Sequence, residues 1–112
     1  YNAIPNAVLA ALDILATYPG EKIFAFGGMA ELGQEPQWYY QQVGEYAKNK
    51  KIDKILICDP FAEVTAKAFG QGAIIISERQ YFGQELKKYL NPNVTVLLKA
   101  RRGFKMDEVV AE

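Results

Sequence analysis

Four cations fall within seven positions near the end of the chain: Lys99, Arg101, Arg102 and Lys105, flanking Gly103. A guanidinium presents paired donors in a fixed fork and an ammonium a compact charge, so such a cluster suits a carboxylate or a phosphate. Lys99 follows the apolar run "VTVLL" directly and is the stronger candidate, whereas Arg101 and Lys105 read as a solvated basic turn. A second stretch, "AFGGMAELG" at residues 25–33, sets two adjacent glycines where another apolar run ends. Backbone without side chains serves either a tight turn with positive φ or a close approach of amides to an anion. The glycine spacing departs from G-x-G-x-x-G at Met29, and no Gly-Lys-Ser/Thr follows, so neither a dinucleotide fingerprint nor a P-loop is present.

Other reactive types carry less. Cys58 is the single cysteine and the chain has no histidine, which removes the usual neutral-pH base and the commonest metal ligand. Cys58 therefore reads as a packing thiol, and no metal site is expected. Asp59 and Glu63 form a possible acid pair, but helix capping accounts for the first and a surface face for the second. Trp38, Tyr39 and Tyr40 could stack on a base, although helical spacing places at least Tyr39 in the core. Thirteen basic and thirteen acidic residues cancel, which speaks against a nucleic-acid partner. The sequence has no leader and no apolar run near membrane-spanning length, and it begins without methionine; a cytoplasmic protein, a monomer, and an excised piece of a longer chain are expected.

The elements that must position these residues alternate strand and helix. Asn6 is a candidate cap for a first helix through Val8, Leu12 and Leu15 up to "YPG". Strands are expected near 23–27, 54–58, 73–76 and 94–98, each an almost continuous apolar run. A helix over Pro36 to Asn49 follows the first. Asp59 followed by Pro60 opens another that ends near Gly70, and Ser77 with Gln80 resembles a capping box before Phe82, Leu86 and Leu90. A last helix is expected beyond Gly103. The implied fold class is α/β: a three-layer α/β/α, Rossmann-like domain of 112 residues with a mostly parallel sheet. Right-handed crossovers gather the loops after the strands on one edge, where open α/β sheets bind ligands.

Five segments occur together in the order and spacing of one family. "YNAIPN" at 1–6, "GGMAELG" at 27–33, "VGEYA" at 43–47, "IDKILI" at 52–57 and "KARRGFKMDEVV" at 99–110 resemble the C-terminal domain of the Mur ligases, over nearly the whole chain. Within the family the likeness is strongest to the branch that acts on D-Ala-D-Ala. The resemblance implies that residues 1–112 are the third domain of a larger enzyme, without its UDP-binding and central ATPase domains. It further implies ATP-dependent joining of D-Ala-D-Ala to a UDP-N-acetylmuramoyl tripeptide through an acyl phosphate, in peptidoglycan precursor synthesis. ATP and Mg2+ would be held mainly by the central domain, this domain would close over the nucleotide and help bind the incoming dipeptide, and the chain alone would be inactive. The alternative is a diverged, non-catalytic Rossmann-like binding or regulatory module.

Carried over position by position, the resemblance implies nucleotide contacts at Tyr1, Asn2 and Pro5, and substrate contacts at Gly27, Gly28, Tyr40, Lys99 and Arg102. No catalytic residue is expected in this chain. Four positions depart from the family pattern: Ile4 stands for an asparagine, Gly28 for an aspartate, Tyr40 for a histidine and Arg101 for a serine. The resemblance therefore assigns the positive-φ turn to Gly27 and leaves Gly28 without a backbone requirement.

Overall fold

The computed structural model describes residues 5–29 and 35–100. Helix α1 (Pro5–Ala16) leads into strand β1 (Glu21–Gly27), followed by α2 (Pro36–Asn49), β2 (Lys54–Ile57), α3 (Ala62–Phe69) and β3 (Ala73–Ile75). A 3-10 turn (Arg79–Tyr81), α4 (Phe82–Lys87) and β4 (Val94–Ala100) complete the described chain. All four strands are parallel in the order β3-β2-β1-β4. The expected strands are present, with β1 beginning two residues earlier and β4 running two residues longer than the hydropathy pattern indicates. The helix expected beyond Gly103 lies outside the described residues.

Strand alternation divides the core into two layers. Phe24, Phe26, Ile55 and Ile57 face α1, α2 and α3, against Val8, Leu12, Leu15, Tyr40, Val43, Ala47 and Phe69. Ile23, Ala25, Leu56 and Cys58 face the opposite way, against Phe82 and Leu86 of α4. The sheet is thus covered on both faces, which is why its strands read as unbroken apolar runs. Cys58 is buried, as a packing thiol would be. Helices α2 and α3 pack closely because Gly44 removes a side chain where α3 passes; a Cβ there would sit 2.8 Å from Ala68 Cβ and 3.2 Å from the Phe69 nitrogen.

Three helix starts differ from the capping pattern. α1 already includes Pro5, so Asn6 lies inside the helix and is not its cap. Asp59 does accept a backbone N–H, from Phe61 at 2.7 Å, but this closes an Asx turn two residues on. α3 therefore starts at Ala62, with Phe61 preceding it. Beyond β3 the chain enters a 3-10 turn at Arg79, and Gln80 Nε2 donates to Glu78 Oε1 at 3.2 Å in place of the expected capping box with Ser77. α4 stops at Lys87, and Leu90 is exposed.

In α2 the buried aromatic is Tyr40, while Tyr39 is half-buried against the core and Trp38 is exposed. Tyr39 packs against the core as helical spacing suggests, and Tyr40 is buried more deeply beside it. Asn91 closes the last turn, its Oδ1 accepting from the Asn93 nitrogen at 2.8 Å and its carbonyl from the Val94 nitrogen at 3.1 Å.

Candidate functional site

The chain order across the sheet reverses between β1 and β4: β1, β2 and β3 step one way, then β4 returns to the other side of β1. In open α/β sheets such a switch point is where ligands bind, in the crevice outside the carboxyl ends of the two strands. The residues there are Gly27, paired with Ala100, and Phe26, paired with Lys99. Lys99 shares its strand face with Leu97, on the side of α1 and α2, and is half-buried. Three of the expected contact positions, Gly27, Gly28 and Lys99, therefore meet at one place, although they come from opposite ends of the sequence.

Gly28, not Gly27, carries the left-handed backbone. Gly28 has φ +98°, whereas Gly27 is the last residue of β1 and extended. Pairing with Ala100 holds Gly27 in strand geometry and moves the turn one residue on. The assignment made from the family pattern is thus reversed: glycine at 28 answers a conformational need.

Immediately after the turn, the Met29 N–H donates to the Tyr40 hydroxyl at 2.8 Å. Tyr40 is buried, with its ring 5.9 Å from Phe26 and 5.1 Å from Phe61 between centroids. Its carbonyl accepts from the Thr65 hydroxyl at 3.0 Å, so α2 and α3 are tied together beneath the crevice. Tyr40 thus stands behind the loop, holding backbone. Met29 and Thr65 were not singled out by the sequence; a lone threonine inside the apolar face of "AEVTAKAF" is the one signal that pointed to a buried polar tie.

Pro5 lies at a separate place, lining a cavity of about 140 Å3 with Asn6, Leu9, Trp38, Tyr39, Gln42 and Val43. Tyr1, Asn2 and Arg102, with Ile4, Arg101 and Lys105, lie outside the described residues. A larger groove of about 910 Å3 runs between α2 and α3, lined by Trp38, Gln41, Glu45, Phe61 and Lys67 among others; Gly27, Gly28, Tyr40 and Lys99 take no part in it. Cys58 and Asp59 follow β2 at the same edge of the sheet, and Glu63 is exposed on α3.

The perturbed ionisable groups described here sit away from the crevice. On the α1–α2 surface, the Tyr46 hydroxyl and then Lys50 hold the Asp13 carboxyl below its ordinary range. At the amino edge of the sheet, Glu21 hydrogen-bonds Lys54 and raises its ammonium above the usual value. No group of three or more His, Cys, Asp or Glu among the described residues could hold a metal ion. The residues at the switch point are two glycines and a lysine, types that suit an anionic oxygen and do not suit Mg2+.

A family model for the Mur ligase, glutamate ligase domain, matches residues 1–102. The chain belongs to this family. It is 34% identical over 98% of its length to the UDP-N-acetylmuramoyl-tripeptide–D-alanyl-D-alanine ligase of Escherichia coli. It is 33% identical over its whole length to the enzyme of that name from Buchnera aphidicola of Acyrthosiphon pisum. In both cases the chain spans 25% of the relative. Its fold matches the MurF ligase of Thermotoga maritima, solved in complex with ADP, with a TM-score of 0.82 at 24% identity over 99% of this chain and 26% of that one. A MurF structure from Acinetobacter baumannii matches with a TM-score of 0.86 at 22% identity, over 99% of this chain and 25% of that one. No helix among the described residues is long and apolar enough to cross a membrane.

Proposed function

We propose that this chain is the third domain of an ATP-dependent amide-bond ligase that joins D-Ala-D-Ala to a UDP-N-acetylmuramoyl tripeptide in the cytoplasm. The observation that carries the proposal is the switch-point crevice, where Gly27, Gly28 and Lys99 converge in a domain of the Mur ligase family. The reaction needs the tripeptide carboxylate activated as an acyl phosphate and protected from water until the amine attacks. A separate domain that closes over the nucleotide supplies that protection.

In this reading the chain's own residues bind and orient. Backbone at Gly27 and Gly28 and the Lys99 ammonium receive an anionic oxygen, the carboxylate of the incoming dipeptide, with Arg102 as a second cation. Tyr1, Asn2 and Pro5 approach the nucleotide. When bound, ATP supplies the phosphoryl group, and Mg2+ is held by residues outside this chain. Gly28 and Tyr40 differ from the family pattern, and both serve the loop's backbone here, which also favours a second reading as a binding module without catalysis.

Phosphate release by the full-length protein separates the two. With ATP and UDP-N-acetylmuramoyl tripeptide present, release that depends on D-Ala-D-Ala supports the ligase; absence of that dependence refutes it and leaves the binding module.

A further inference from the structure

The position expected to touch substrate, Tyr40, is buried with its hydroxyl turned onto the peptide nitrogen of Met29, 2.8 Å away. That nitrogen is the first backbone group after the positive-φ residue Gly28. A left-handed glycine has several accessible conformations, so a loop that must present its backbone to a ligand needs something to select one. The tyrosine is suited to this because its own freedom is already removed. Phe26 of β1 and Phe61 before α3 flank the ring, and Thr65 of α3 donates to its carbonyl. Phe26 and Phe61 thus hold the ring that carries the phenol oxygen, and that oxygen holds the loop, while Thr65 anchors only the Tyr40 backbone.

We infer that Tyr40 is a positioning residue of the crevice: by accepting the Met29 N–H it sets the Gly28 turn and preorganises the backbone that receives the anionic end of the substrate. It acts through Met29 and Gly28 and does not touch the ligand. The inference rests on the ligase reading for the identity of the ligand, but not for the loop itself.

Two measurements separate these parts. In this chain, Tyr40→Phe keeps the ring and removes the acceptor. Hydrogen exchange at the Met29 amide should accelerate about tenfold, the loss of one buried hydrogen bond, while amides in α2 and β2 retain their protection. An unchanged Met29 amide overturns the inference. Thr65→Val is the control: it removes the tie to the Tyr40 carbonyl, weakens packing of the same side chain, and should leave Met29 exchange within about twofold of the parent under conditions where both are folded. Acceleration at Met29 equal to that of Tyr40→Phe would make the effect one of general loosening and would also overturn it.

In the full-length protein, Tyr40→Phe should raise KM for D-Ala-D-Ala roughly three- to tenfold, with kcat and the KM for ATP changing less, because a loosened loop loses ground-state binding. A purely structural role lowers the active fraction instead, so kcat falls with every KM unchanged, and that result refutes positioning. If the parent protein releases no phosphate in response to D-Ala-D-Ala, the ligase reading fails, and the Met29 exchange result still decides the role of Tyr40.

Discussion

Gly28 gives the sharpest test of how this loop is built. Its φ of +98° lies beyond the region that L-residues other than asparagine and aspartate occupy with any ease, and the residue is buried. Gly28→Ala places an L-residue at this φ, at a conformational cost of about 2 kcal/mol for a residue held in a sparsely populated backbone region. For a domain near this size that corresponds to a fall in Tm of roughly 8–10 °C. Gly28→Asn and Gly28→Asp should lose about half as much, since their short polar side chains tolerate positive φ. Gly28→Val should lose more than Gly28→Ala. The assay is thermal unfolding by far-UV circular dichroism on the four variants at fixed pH and concentration. If Gly28→Ala unfolds within about a degree of the parent, or if Ala and Asn are equivalent, strain at this φ is not what the glycine relieves, and the reasoning fails.

Further outcomes follow from the same packing and charge. Gly44→Ala should destabilise by about 1–3 kcal/mol in urea unfolding, because overpacking against Ala68 and Phe69 outweighs the gain in helix propensity; a more stable variant would refute the close approach of α2 and α3. Asp13 has its carboxyl held low by the Tyr46 hydroxyl and then by Lys50, so its stabilising contribution is present above its unfolded value and is lost as pH falls below about 4. Asp13→Asn should therefore melt below the parent at pH 6, with the difference closing between about pH 4 and pH 2; a constant gap would refute the linkage. The 112-residue chain by itself should turn over no ATP in a phosphate-release assay, and turnover would contradict the assignment of the phosphate chemistry to the rest of the protein.

The architecture was legible because it depends on features a single sequence displays. Apolar runs such as "KIFAF" and "KILIC" are continuous because helices cover both faces of the sheet, and continuity is read without knowing the partners. Helix starts were less legible because a short polar side chain serves equally as a helix cap or as the first residue of an Asx turn, and Asp59 takes the second role. The two tyrosines of α2 show a related limit. With Val43 and Ala47 fixed on the buried face, both Tyr39 and Tyr40 stand within one turn of it. The choice falls to Tyr40 because its hydroxyl has a partner in Met29 and its ring has neighbours in Phe26 and Phe61, contacts supplied from elsewhere in the chain.

The reversal at the double glycine has the same origin, one step further from local sequence. Nothing in "FGGM" distinguishes which glycine turns, because both lack a Cβ and both precede a loop. The decision is made by β4, about seventy residues later: apolarity ends at Leu98, but the strand continues through Lys99 to Ala100. Those two additional residues extend the ladder with β1 to Phe26 and Gly27, so Gly27 is held extended and the turn is displaced to Gly28. The same extension seats Lys99 beside the last turn of β1 instead of in the loop beyond it. A polar residue at a strand end is commonly read as the start of a loop; here its place in the ladder both selects the turning glycine and brings an ammonium to the switch point, so the strand pairing itself assembles the crevice.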